Sequence, residues 1–203
     1  MLLLVLLVLW LGTLLHSTDS TRSLTAQRWT SNASAAVAIG SGGYPRGVQL
    51  LDGSWLICVN LDIHRSPAGD GGTEWAKIST VLTDDREGVD LANCNLAQLP
   101  SGRVLASYRH HVPQPTGAMR YAIEVSASDD GGHSWRALST MVSGAVGMWE
   151  PFLFPPTAVE RHATNVGRDV IWSAYSQELT NGGLQSIVWQ RSTDRGSSWE
   201  API

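Results

Sequence analysis

The stretch "SASDDGGHSW", Ser126 to Trp135, returns further along the chain as "RSTDRGSSW", Arg191 to Trp199. Ser128-x-Asp130-x-Gly132-x-Ser134-Trp135 matches Ser192-x-Asp194-x-Gly196-x-Ser198-Trp199 position by position, and a decayed copy, Ala68-x-Asp70-x-Gly72-x-Glu74-Trp75, precedes both. The spacing has a physical meaning. An Asp side chain accepts hydrogen bonds from backbone N–H groups just ahead of it, and Gly takes the positive φ that closes a tight hairpin. The Trp then anchors the outgoing strand, and burying such a ring is worth several kcal/mol, on the order of 2–5. Asp70, Asp130 and Asp194 therefore read as structural turn residues, with Trp75, Trp135 and Trp199 as their anchors.

A second repeat runs out of step with the first. "QLLDGSWLICVN", Gln49 to Asn60, aligns without gaps on "QLPSGRVLASYR", Gln98 to Arg109. Each is a strand, a Gly turn and a second apolar strand. In a third unit "PFLF" supplies the first strand and "DVIWSAYSQ" the second, with "PPTAVERHATNVGR" between them. The order is strand a, turn, strand b, loop, strand c, Asp turn, strand d. Runs such as "YAIEVSAS" and "LQSIVWQRS" are short and β-rich, and no long stretch carries apolar residues at helical spacing. The chain reads as all-β. Four-stranded units at a period of roughly 40–60 residues are propeller blades, each covering its neighbour's apolar face.

Composition fits a globular body: 203 residues, 43% hydrophobic, 16% charged, with 20 Gly and 9 Trp. A net charge of -4 without a Lys/Arg run excludes the electrostatic footprint of a nucleic-acid or anionic-membrane binder. The first fifteen residues, "MLLLVLLVLWLGTLL", are apolar and end in the polar run "HSTDSTRS". That pattern predicts a signal peptide over residues 1–20, with a membrane anchor as the alternative, and export in either case. Residues 21–40 form a Ser/Ala-rich leader carrying Asn32 in an N-x-S triplet, a candidate glycosylation site. The propeller domain is placed at 41–203. The two cysteines, Cys58 and Cys94, leave room for one bridge in an oxidising compartment or for two separate buried thiols.

The Asp turns, together with "YPRGVQLLDGSWL", resemble the Asp-box repeats of the sialidase-type propeller, a six-bladed superfold. Within it, "NLAQLPSGRVLASYRHH", "GMWEPFLF" and "AYSQELTNGGLQSIVWQRSTDRGSSW" more closely resemble the fungal exo-arabinanase-like glycoside hydrolases of the family 93 type. The resemblance covers about residues 40 to 203. It implies about three of six blades, and a secreted, exo-acting hydrolase of arabinan or a related plant polysaccharide that works through a carboxylate pair and without a cofactor. Sialidases carry the first arginine of a carboxylate-binding cluster at the place of Arg46, but Gly47 and Val48 follow here instead of the usual Ile-Pro, which points to a neutral sugar. Sialidase activity and glycan or protein binding without catalysis are the other functions that such propellers imply.

Blade topology narrows the search for a site without the family. Strands alternate direction, so the Asp turns lie on one face, and the starts of strands a with the ends of strands b lie on the other. This rim collects Arg46, Asp62 and His64 from the first unit. The second contributes Asn95, Arg109, His110 and His111, and the third Trp149, Glu150, Gln177 and Glu178. Glycoside hydrolysis needs two carboxyl groups flanking the bond. Glu150, set between aromatic residues in "GMWEPF", and Glu178, emerging from a strand into an Asn/Gly-rich loop, are the candidate catalytic pair. Arg46, Asp62, Arg109, His110, Trp149 and Gln177 are candidate sugar-binding residues, although Arg46 serves equally well as a bridge between blades. No metal site is expected, because His110 and His111 point to opposite faces of a strand and no third ligand follows at suitable spacing. Three blades do not close a ring, so the chain is expected to be truncated, with an inactive fragment as a further alternative, and exposed blade faces are expected to promote self-association.

Overall fold

A computed structural model describes Ile39, residues 42–156 and residues 170–203. The predicted signal peptide, the leader with Asn32 and most of the "PPTAVERHATNVGR" insertion lie outside the described residues. Among the described residues eleven strands make three antiparallel sheets. The first comprises β1 (Arg46–Gln49), β2 (Trp55–Val59), β3 (Asp62–Ser66) and β4 (Ala76–Thr80) in that spatial order. The second holds β5 (Asp90–Gln98), β6 (Val104–Pro113), β7 (Met119–Ser128) and β8 (Arg136–Gly144). The third is β9 (Met148–Phe154), β10 (Ile171–Glu178) and β11 (Gln185–Ser192). Residues 200–203 return along β11, with Glu200 N donating to Arg191 O and Ile203 exchanging backbone bonds with Trp189. These are the a–b–c–d meanders read from the repeat. Among the described residues no helix is long and apolar enough to cross a membrane.

The middle sheet is covered on both faces, which explains the near-continuous apolar run of β6. Val104, Ala106 and Tyr108 pack with Leu56, Cys58 and Ile63 of the first sheet. Leu105, Ile123 and Val125 pack with Leu153, Ile171 and Tyr175 of the third. Successive residues of one strand thus serve two different cores, since side chains alternate across a strand. The outer face of the third sheet leaves Phe152, Ile187 and Trp189 52%, 64% and 43% exposed.

The Asp turns act as brackets at one end of each sheet. Asp130 accepts from Ser134 N at 2.9 Å and from the Ser134 hydroxyl at 2.5 Å, and Asp194 accepts likewise from Ser198 at 2.8 and 2.6 Å. Gly132 (φ 92°) is flush against Leu56 of the preceding sheet, where a methyl group would lie 2.9 Å from Leu56 Cδ1. Trp135 Nε1 donates to Ser79 Oγ of the first sheet at 3.1 Å, and Ser79 donates to Gly132 O. Trp199 Nε1 and Ser139 Oγ repeat the stitch at 3.2 Å, with Ser139 donating to Gly196 O at 2.6 Å. The second and third turns are therefore each fastened to the last strand of the sheet before it. The first turn departs from the expected alignment. Its serine partner is Ser66, which donates to Asp70 at 2.8 Å, and Thr73 supplies the second hydroxyl, so Ala68 holds no equivalent position.

Cys58 and Cys94 form a disulfide across the first and second sheets, with Cα atoms 6.0 Å apart. The bond closes a segment of 36 residues. Loop-closure entropy of that size destabilises the unfolded chain by about 4 kcal/mol. Replacing both cysteines by serine is expected to lower the free energy of unfolding by about that amount, read from urea denaturation under non-reducing conditions.

The Asp130 carboxyl is held at about 2 by its bonds to the Ser134 hydroxyl and backbone. A carboxyl whose value falls on folding stabilises the native state above the unfolded value of about 3.9, and that stabilisation is lost as pH falls through the folded value. The turn is solvent-exposed, so the contribution is small. Asp130→Asn is expected to lower the urea midpoint at pH 7 and to flatten its decline between about pH 4 and pH 2 relative to the unmodified chain.

Candidate functional site

The rim opposite the Asp turns is shaped by a recurring irregularity in the innermost strands. On β5 the register shifts between Ala92 and Asn95, so that Asn93 and Cys94 together oppose one residue of β6. On β9 Glu150 and Pro151 oppose the single residue Tyr175 of β10. Such a bulge turns one side chain away from the alternation of the strand. Its first residue is left-handed in both cases: Asn93 at φ 57° and Glu150 at φ 53°. In the ungapped repeat Tyr44 corresponds to Asn93, and it too is left-handed, at φ 54°. Asn tolerates this region, whereas Glu does not, at a cost of about 1–2 kcal/mol. A strained glutamate at the mouth of a sheet marks a residue placed for its side chain.

Glu150 is gripped from two neighbouring sheets. The Arg46 guanidinium donates to Oε2 and the Asn93 amide donates to Oε1. A second Arg46 nitrogen donates to Pro151 O at 3.0 Å, so one arginine fixes both the Glu150 side chain and the backbone of the residue after it. The Glu150 side chain keeps 40% of its surface exposed. Both oxygens act as acceptors, and the Arg46 guanidinium sets a positive charge against the carboxylate, an arrangement suited to a nucleophile or base. Asn93 is fully buried, and its Oδ1 has no partner among the described residues.

Beside Glu150 stands Trp149. Its Nε1 donates to Glu178 Oε1 at 3.1 Å, and Gly182 N donates to Glu178 Oε2 at 2.8 Å. Arg109 Cζ lies 5.1 Å from the Trp149 ring centroid, within cation–π range. His111 meets the ring edge-on at 4.8 Å and Tyr121 at the same distance. His111 Nε2 lies 2.9 Å from Met148 O, and burial pushes its pKa below the usual histidine value. Asp90 accepts from Arg109 at 2.9 Å and stands 3.6 Å from His111 Nδ1.

The structure thus brings Arg46, Arg109, Trp149, Glu150 and Glu178 to one rim, and separates other candidates from them. Asp62 is bound to Thr80 and Lys77, both at 2.8 Å, at the mouth of the outer strands β3 and β4. His110 turns to the opposite face of β6 from Arg109 and His111 and lies 2.8 Å from Asp84, whose carboxyl Arg86 and His110 hold well below the usual range. His64 is buried within β3. Gln177 stands opposite Met148 in the β9–β10 register. Asn95 ties the sheets together, its Oδ1 accepting from Leu153 N at 2.7 Å. Asn93, Asp90 and Tyr121 were not singled out from the sequence. Asn93 was findable, because it occupies the same step of the repeat as Tyr44. Among the described residues no three His, Cys, Asp or Glu side chains are grouped to hold a metal ion.

No protein-family model matches the sequence, and no curated protein matches it at a significant level. Solved structures do. The chain is similar to the GH93 α-L-arabinofuranosidase of Fusarium graminearum, solved with arabinobiose, at 26% identity and a TM-score of 0.60, covering 79% of this chain and 47% of that one. It is similar to the α-L-arabinanase of Penicillium chrysogenum, also solved with arabinobiose, at 25% identity and a TM-score of 0.59, covering 79% of this chain and 48% of that one. A protein of unknown function from Dyadobacter fermentans shares the fold at 17% identity and a TM-score of 0.55, over 78% and 49%. The chain has the all-β sheet architecture of these arabinose-acting hydrolases, one of them a GH93 enzyme, and it spans about half their length.

Asn93→Asp keeps the shape and the tolerance of left-handed backbone while setting a second carboxyl against Glu150. Two such groups share a proton, so the substitution is expected to cost about 1–3 kcal/mol at pH 7 and less at pH 5, measured by urea denaturation at the two pH values.

Proposed function

We propose that this chain carries part of the active site of a secreted, exo-acting glycoside hydrolase directed at arabinan or a related plant polysaccharide. The observation that carries the reading is the exposed Glu150 carboxylate, clasped by Arg46 and Asn93 at the open mouth of the innermost strands. Similarity at about 25% identity to two arabinose-acting hydrolases solved with arabinobiose supports the substrate class. In this reading Glu150 attacks the anomeric carbon or takes a proton from the attacking water, while a carboxylic acid gives its proton to the departing oxygen. We place that acid in the half of such a body that the chain does not span. Arg46 is already committed to Glu150 and the Pro151 carbonyl, which favours a neutral sugar over an anionic one such as sialic acid. Export fits the apolar leader and the Cys58–Cys94 bond.

The test is product release from debranched arabinan, followed by anion-exchange chromatography beside sialyllactose as the competing substrate. Arabinose-containing product is expected, and Glu150→Gln is expected to reduce its release by about 10³-fold or more, with the melting temperature little changed. Retained turnover in the variant overturns the assignment of Glu150. Saturable arabinobiose binding with no product from either substrate would instead identify a non-catalytic glycan-binding body.

A further inference from the structure

Glu178 is only 8% exposed, and both of its carboxylate oxygens already accept hydrogen bonds, one from the Trp149 indole and one from Gly182 N. Glu178 N donates in turn to Gly147 O at 2.9 Å, so the residue is tied to the segment leading into Trp149 from both ends. Gly147 gives an independent view of the same contact. Its backbone does not lie in the left-handed region, so conformation does not call for glycine there. Space does: a methyl group at Gly147 would lie 2.5 Å from Trp149 Nε1 and 2.7 Å from Glu178 Cδ. The chain is flush against this one hydrogen bond. On the other side Arg109 covers the Trp149 ring, His111 meets it edge-on, and Asp90 holds Arg109. A tryptophan free to rotate needs none of these restraints.

We propose that Glu178 is a positioning residue for substrate recognition, acting through Trp149 rather than on the sugar. The carboxylate and Gly147 hold the indole at one orientation beside Glu150, so that the ring presents a fixed apolar wall to a sugar seated at that carboxylate. This rests on the glycan-binding reading above. It gives Glu178 a role different from that of a hydrolytic carboxyl, because both of its oxygens are engaged by the protein's own N–H groups, the Trp149 indole and Gly182 N, rather than turned to a substrate. Aromatic side chains bind sugars through their faces and hold that geometry best when their polar edge is satisfied.

Two measurements on the full chain separate the positioning role from the glycan reading. In the first, the Trp149 indole N–H resonance is identified by its loss in Trp149→Phe and then followed in Glu178→Ala, Glu178→Gln and Gly147→Ala. It is expected to shift and to exchange faster with solvent in Glu178→Ala and Gly147→Ala, with partial recovery in Glu178→Gln, whose amide oxygen still accepts. An unmoved resonance in Glu178→Ala overturns the proposal. In the second, arabinobiose is titrated against each variant by calorimetry. Glu178→Ala and Gly147→Ala are each expected to weaken binding about 5–30-fold. The double variant Trp149→Phe with Glu178→Ala is expected to bind no more weakly than the poorer single variant. Additive losses, or full affinity in Glu178→Ala, overturn the proposal, since Glu178 then acts on the sugar directly or not at all. A shifted indole resonance with no arabinobiose binding to the unmodified chain overturns the glycan-binding reading, and the recognition role falls with it.

Discussion

A four-stranded sheet that is apolar on both faces has no stable existence alone, and every larger feature of this chain follows from that constraint. No helix among the described residues covers a sheet, so sheet must cover sheet. The middle unit shows the consequence: Val104 and Leu105, adjacent in sequence and both fully buried, belong to different cores. Apolar packing alone leaves two sheets free to slide, and the Asp turns remove that freedom. Trp135 and Trp199 reach back to Ser79 and Ser139, whose hydroxyls close onto Gly132 and Gly196. The Cys58–Cys94 bond fixes the first pair of sheets nearer the opposite end.

Stiffness at one end allows irregularity at the other. The innermost strands β5 and β9 each carry a bulge where they approach the open rim, and the residue thrown out of register is Asn93 in one and Glu150 in the other. Because neighbouring sheets are held in place, these two side chains and Arg46 meet across three sheets, from parts of the chain with no local reason to associate. Left-handed backbone at Glu150 is the cost of that meeting. The Trp149 cluster extends the same rim, and its dense restraint contrasts with the half-open Glu150 carboxylate beside it.

The fold was legible in the sequence because its signals are local. Ser128 to Trp135 and Ser192 to Trp199 each contain their own hydrogen-bonding scheme, and the Gln49 and Gln98 repeats each contain a complete hairpin. The decayed first turn was legible only in part. Its serine partner is Ser66, displaced from the expected position, because the loop before Asp70 is longer and a hydroxyl can enter it from more than one place. The end of the sheets on which Glu150, Arg46 and Trp149 lie followed from alternating strand direction. Which rim residues face one another did not. His110 and Arg109 are neighbours in sequence and part company in the sheet, and Asp62 finds Lys77 on an outer strand.

By itself the sequence determined the all-β meander, the hydrogen bonding inside the Asp turns and the common rim, since each depends on successive strands of one meander, on a turn's own residues or on strand parity. Tertiary structure alone decided that Asn93 joins Arg46 in gripping Glu150, that Glu178 accepts from the Trp149 indole, and that Cys58 and Cys94 are bonded. Those pairings depend on how far each strand is shifted and bulged relative to a strand in another sheet, and a shift of one residue would send every one of these side chains to the other face.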